Sequence, residues 1–149
     1  MLVKWCGKKR GMEMSLITEI RDNVSAILRL RKGNFYVSSA KGQPLWINCY
    51  SYNGDIIACD VFTDTNSKAE VYFFFRSATD NVTIDSDAEI SCKEYWDSIR
   101  NSMPRGYSPT LYNGVGYRLH KAYSEQYSPK EIVREIIEVY RALGACLSQ

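Results

Sequence analysis

Apolar residues recur along this chain with two different spacings, and the two spacings separate predicted helices from predicted strands. From Ser15 to about Lys32 they fall three or four positions apart, which predicts an amphipathic helix capped by Ser15. Gly33 follows a basic last turn and is a typical helix end. The apolar stripe of this helix is Leu16, Ile17, Ile20, Val24, Ile27 and Leu28.

The next segment, residues 35–76, has the pattern of an antiparallel meander. Short runs of β-branched and aromatic residues are separated by turn residues, which predicts four strands. Gly42 and Gly54 each suit the last position of a three-residue hairpin loop. A short fifth strand is predicted at residues 82–84.

These loops fix a register in which one face of the meander is continuously apolar. A two-residue turn at Asn53-Gly54 would instead place Asp60 opposite Ile47, so the apolar pattern selects the longer loop. We expect helices to dock on this apolar face. Its predicted pairs are Val37 with Leu45, Phe35 with Ile47, Cys49 with Ile57, Ile47 with Cys59, Leu45 with Val61, Val61 with Val71, Cys59 with Phe73 and Ile57 with Phe75.

The opposite face of the meander combines aromatic rings with charges. Two interpretations remain open: a second core layer under the later helices, or an exposed binding surface. In the first, Asp60 needs a buried partner, either Arg76 or a tyrosine hydroxyl. The predicted rows on this face are Trp46–Asp60–Tyr72, Tyr50–Ile56–Arg76 and Phe62–Glu70.

Two further helices are predicted in the second half of the chain. A capping box at Ser91 and Glu94 opens a helix that ends near Met103. Residues 105–127 are predicted to be mostly irregular, with one strand at residues 117–121. Ser128-Pro129-Lys130-Glu131 opens the last helix. Its buried stripe is Ile132, Ile136, Ile137, Tyr140 and Leu143.

The fold prediction is therefore α+β. It comprises an N-terminal helix, an antiparallel meander sheet of four to five strands, and two C-terminal helices packed on the sheet. Residues 14–149 are expected to form a single domain, and residues 1–13 a disordered basic leader.

Composition narrows the function classes. The net charge of +2 does not favour nucleic acid as the main partner, and no run reaches the ~18 apolar residues of a membrane span. Five cysteines without a C-x-x-C pair, and a single histidine, do not match the usual zinc patterns. We therefore expect reduced thiols in a cytoplasmic protein without cofactors.

Candidate catalytic motifs are incomplete. His120 lies in an alternating strand pattern, with Leu119 inward and His120 outward, and lacks a recognisable nucleophile motif. The glycine pair at residues 113–116 has no following helix start or lysine, so it does not match a P-loop. The carboxylates of residues 85–89 lack the glycine and glutamate of a calcium-binding EF-hand loop. Enzymatic function is therefore not favoured.

Tyrosines are dense in the predicted irregular segment, where they suit a recognition surface. The expected function is a non-enzymatic domain that binds a protein partner or self-associates, through this segment and the aromatic sheet face. The alternative is binding of a small ligand or single-stranded nucleic acid at the sheet face, and a cysteine- or carboxylate-dependent enzyme ranks third. The candidate binding residues are Trp46, Asp60, Glu70, Tyr72, Arg76, Tyr107, Tyr112, Tyr117, His120 and Tyr123.

Overall fold

The fold is taken from a computed structural model, which describes residues 15–29, 35–40, 43–52, 54, 56–64, 68–74, 86–112 and 116–147. Helices and strands follow one another in the order given by their bounds. They are α1 (Leu16–Arg29), β1 (Phe35–Ser38), β2 (Leu45–Tyr50), β3 (Ile56–Thr63), β4 (Ala69–Phe74), α2 (Ser86–Ile99), β5 (Ser108–Tyr112), β6 (Gly116–Tyr123) and α3 (Pro129–Ala142).

The six strands form one antiparallel sheet in the order β1-β2-β3-β4-β6-β5. This confirms the α+β prediction of an N-terminal helix, an antiparallel sheet and two later helices, with six strands rather than four or five. The extra strands form the β5–β6 hairpin, in a segment predicted to be mostly irregular. Its ladder with β4 joins residues about 50 positions apart, so local sequence signals do not reveal it.

The predicted register is confirmed for β2–β3 and β3–β4, where Ile47 lies opposite Cys59 and Val61 opposite Val71. It is wrong by two residues for β1–β2, where Phe35 lies opposite Cys49 instead of Ile47. Side chains alternate with a period of two, so a shift of two leaves every side chain on its own face. The apolar pattern therefore could not distinguish the two registers.

The helix predicted from Ser91 begins earlier, at Ser86, so Ser91 lies inside α2 rather than at its cap. A 3-10 turn, Arg100–Ser102, follows it. Several predictions fall outside the described residues: the leader at 1–13, the helix end at Lys32, the strand at 82–84, and the positions of Gly42, Phe75 and Arg76.

The main core lies between one face of the sheet and the helices α1 and α3. The predicted stripes of both helices are buried, and Tyr140 reaches the sheet from α3. Its hydroxyl lies 2.9 Å from the carbonyl oxygen of Ile47 and 3.2 Å from that of Ile57. The buried sheet residues on this face include Leu45, Ile47, Cys49, Ile57, Cys59, Val61, Val71, Phe73 and Leu119.

Candidate binding surface on the open face of the sheet

Strand pairing aligns one row of side chains across the whole sheet. The pairs Trp46–Asp60 and Asp60–Tyr72 confirm the predicted row, and Tyr72 pairs onward with His120. Residues directly opposite in an antiparallel ladder point to the same face. The sheet therefore brings the single histidine of the chain onto the aromatic face, which sequence reasoning had treated as separate from it.

This face is opposite to the one that α1 and α3 cover. Its side chains near the β1 edge are exposed: Tyr36 by 60%, Tyr50 by 43% and Trp46 by 40%. Within the described ranges, no helix is packed over these rings, so the second-core interpretation does not hold for this part of the sheet. The open face comprises Tyr36, Trp46, Asn48, Tyr50, Ile56, Ala58, Asp60, Phe62, Glu70, Tyr72, Arg118 and His120.

The half of the open face formed by β1, β2 and β3 is mainly aromatic and apolar. On β2, Trp46 and Tyr50 flank Asn48, and on β3 the smaller Ala58 lies directly opposite Asn48. Ile56 adds an exposed aliphatic side chain opposite Tyr50. Large rings on both sides of two smaller side chains suit a partner that inserts side chains between the rings.

The other half of the open face carries a polar cluster around His120. Its Nε2 atom lies 2.9 Å from Glu70 Oε1, and the Tyr72 hydroxyl donates to the same oxygen at 3.1 Å. The Tyr72 ring stacks on the imidazole, with centroids 4.5 Å apart. Phe62 packs edge-on against Tyr72 at 5.8 Å. These contacts hold the imidazole in one orientation at the surface.

Asp60 lies between the two halves and is half-buried. Burial raises the pKa of its carboxyl, and the positive charge of Arg118 acts in the opposite direction. The cation that faces Asp60 in the described part of the chain is thus Arg118 on β6. The expected Arg76 lies outside the described residues.

The tyrosine-rich segment does not form the surface that the sequence suggested. Tyr107 and Tyr123 are only 4% and 1% exposed and belong to the core, so they are corrected from binding residues to core residues. The reason is the β5–β6 hairpin, whose alternation turns Tyr123 toward α3. Tyr112 and Tyr117 lie on these two strands, and their side chains are outside the described part.

A buried polar cluster joins this hairpin to α3, and sequence reasoning missed it. Lys121 Nζ lies 2.7 Å from Glu135 Oε1 and donates to the carbonyl oxygen of Arg105 at 2.6 Å. The Tyr123 hydroxyl also donates to Glu135 Oε1, at 2.9 Å. A signal was present, because Lys121 falls between the inward Leu119 and Tyr123. Its polar atoms contact one another, which indicates a structural role.

Groups that could hold a metal ion were sought among the described residues, and none with three or more histidine, cysteine or acidic side chains is found there. In the same part of the chain, no helix is both long and apolar enough to cross a membrane. Comparison of the chain with protein-family models, curated proteins and solved structures finds no match. A functional proposal for this chain is therefore based on the geometry of the open face.

Proposed function

We propose that this protein is a non-enzymatic binding domain that recognises a protein partner on the open face of its sheet. One observation carries the proposal: Tyr36, Trp46 and Tyr50 are exposed side by side on a face that no described helix covers. Scattered exposed rings are ordinary, but a contiguous group of them marks an interaction surface. Tryptophan and tyrosine are also the residues that contribute most to protein interfaces.

The charges of the open face favour a protein over a nucleic acid. Two carboxylates, Asp60 and Glu70, lie on it and would repel a phosphate backbone. Each has a cationic or ionisable neighbour, Arg118 and His120 respectively. Aromatic rings combined with locally matched charges are typical of protein–protein interfaces. Stacking of bases on Trp46 and Tyr50 is the weaker alternative.

The surroundings of His120 support a binding role rather than catalysis. A general base must present a nitrogen to the reacting group, and Nε2 of His120 is engaged by Glu70. Its ring also stacks on Tyr72. Both contacts make the imidazole a fixed part of the surface that a partner would contact.

The test is site-specific photo-crosslinking in cells. A photo-reactive phenylalanine analogue replaces Tyr50 on the open face, or Arg134 as a control on the exposed side of α3, where the Arg134 side chain is 61% exposed. We expect a discrete protein adduct from position 50 and none of the same mass from position 134. Equal adducts from both positions, or a nucleic-acid adduct from position 50, would contradict the proposal.

A second variant connects the adduct to the surface. Trp46→Ala, introduced together with the probe at position 50, should reduce the adduct at least several-fold. Because Trp46 is 40% exposed, its stability cost should stay well below the roughly 3–5 kcal/mol of a buried large-to-small change. Urea unfolding of the same variant checks this. A large loss of stability would mean that Trp46 is part of a core and not of a binding surface.

A further inference from the structure

The two edges of the sheet differ in how they are protected against pairing with another strand. At one edge, β5 contains Pro109, which has no N–H to donate, and α2 contacts this strand. At the other edge, β1 has the sequence Phe-Tyr-Val-Ser, without proline, glycine or charge. Natural edge strands usually carry one of these features, because an unprotected edge pairs with further strands. Among the described strands, β1 is paired with β2 alone.

We propose that β1 pairs antiparallel with β1 of a second copy of this chain, about a two-fold axis at Tyr36. The two six-stranded sheets then become one continuous sheet. An antiparallel register keeps the two faces continuous only when opposite residues point to the same face. The register centred on Tyr36 meets this condition: it places Tyr36 opposite Tyr36 of the second copy, and Phe35 opposite Val37 of the second copy.

This register is self-complementary, as an interface with two-fold symmetry must be. It creates an aromatic–aromatic pair on the open face and two aromatic–β-branched pairs on the helix-covered face. Such cross-strand pairs are among those that stabilise antiparallel sheets. The exposures agree with it, since Phe35 and Val37 are only half-buried and Tyr36 is 60% exposed in the isolated chain. Pairing would cover all three.

The pairing goes beyond the proposed function and does not depend on it. In the dimer, the exposed rings of Tyr36 and Trp46 from one copy adjoin those of the other, so the two aromatic halves become one surface. A partner would meet an open face of twice the width.

Light scattering during size-exclusion chromatography gives the first test. The wild-type chain of 17.1 kDa should approach twice that mass as its concentration rises to hundreds of micromolar. Tyr36→Lys places two like charges opposite each other at the axis and should weaken the dimer at least tenfold. Thr110→Lys is the matched control on the opposite edge strand, β5, and should leave the dimer unchanged.

A cysteine at the axis gives a positive signal that does not require loss of the dimer. Opposite residues in an antiparallel ladder have Cα atoms about 4.5–5.5 Å apart, within reach of a disulfide. Under mild oxidation, Tyr36→Cys should therefore form a 36–36 disulfide, identified by peptide mass spectrometry among the native thiols. The exposed Ser39→Cys lies three residues from the axis and should not link to its own copy.

A wild-type chain that stays monomeric throughout this concentration range overturns the proposal. So does a dimer that Tyr36→Lys leaves intact and that forms no 36–36 disulfide. Circular dichroism checks that Tyr36→Lys is folded, and if it is not, the disulfide decides. The outcome is separable from that of the proposed function, because a monomer can still yield the protein adduct at position 50.

Discussion

At the scale of single residues, the most constrained position is the buried lysine of β6. Lys121 and Glu135 are 6% and 8% exposed, yet both are charged residues in the core. The backbone makes room for the lysine at Gly106, where a Cβ atom would lie 2.9 Å from Lys121 Cε. The φ angle of Gly106, +97°, also favours glycine. The rings of Tyr123 and Tyr127 complete the enclosure, each with its centroid 4.7 Å from Nζ.

Removing the lysine charge should destabilise the fold strongly. Lys121→Met leaves Glu135 buried without its cation, which typically costs about 3–5 kcal/mol, measured as the free energy of unfolding in urea. The matched control is Arg134→Ala, which removes the exposed pair with Glu138 at 3.7 Å and should cost under about 1 kcal/mol.

The double variant Lys121→Met with Glu135→Leu separates the charge from the packing. It removes both charges, so part of the lost stability should return. Equal effects of Lys121→Met and Arg134→Ala would mean that the buried pair is not coupled to folding.

At the scale of elements, the sequence predicted those whose signals are local. The last helix was predicted from a capping box, and α3 has it: Glu131 N–H donates to Ser128 Oγ at 3.1 Å, and Ser128 N–H donates to the Glu131 carboxylate at 2.8 Å. The first helix was predicted in the same way, and Thr18 N–H donates to Ser15 Oγ. Both helices have an apolar stripe of the expected width, which the core then buries.

Elements that depend on distant pairing were not predictable. The β5 strand begins with Ser108-Pro109, which locally favours a turn, and becomes a strand through its ladder with β6. The pattern at Ser91 and Glu94 matches a capping box but lies within α2, so the local signal was misleading there. Local propensity gives way where tertiary contacts provide the larger stabilisation.

The cap of α3 provides the prediction at this scale. Ser128→Ala removes the acceptor for Glu131 N–H and should lower the free energy of unfolding by about 0.5–2 kcal/mol. Ser128→Asp keeps an acceptor at the cap and should retain most of the stability. Ser98→Ala, on the exposed side of α2, controls for the loss of a hydroxyl and should change stability by less than about 0.5 kcal/mol. Equal effects of Ser128→Ala and Ser98→Ala would contradict a stabilising cap.

At the scale of the whole molecule, the sheet has one covered and one open face, and the sequence indicated this division only in part. The alternation of apolar residues predicted which side chains share a face, and the row Trp46–Asp60–Tyr72 is correct. The same alternation could not reveal which face the helices cover, because helix placement depends on contacts between distant segments. For the same reason, Tyr107 and Tyr123 resembled surface residues in the sequence, although both are buried.

The covered face should also be visible in the reactivity of the cysteines. Burial raises the pKa of Cys49 to about 12 and that of Cys59 well above its ordinary value. Because the thiolate is the reactive form, neither should react with a thiol reagent at neutral pH while the protein is folded. Cys146 is only half-buried and should react first.

Cys49 and Cys59 lie on neighbouring central strands under the same helices, so their exposure should require global unfolding. Mass spectrometry of labelled peptides should therefore give equal opening free energies for the two thiols, both matching the unfolding free energy from urea. Lys121→Met should lower both by the same amount, although it lies outside β2 and β3. Rapid labelling of Cys49 while Cys59 remains protected would instead mean that β2 opens separately from the rest of the sheet.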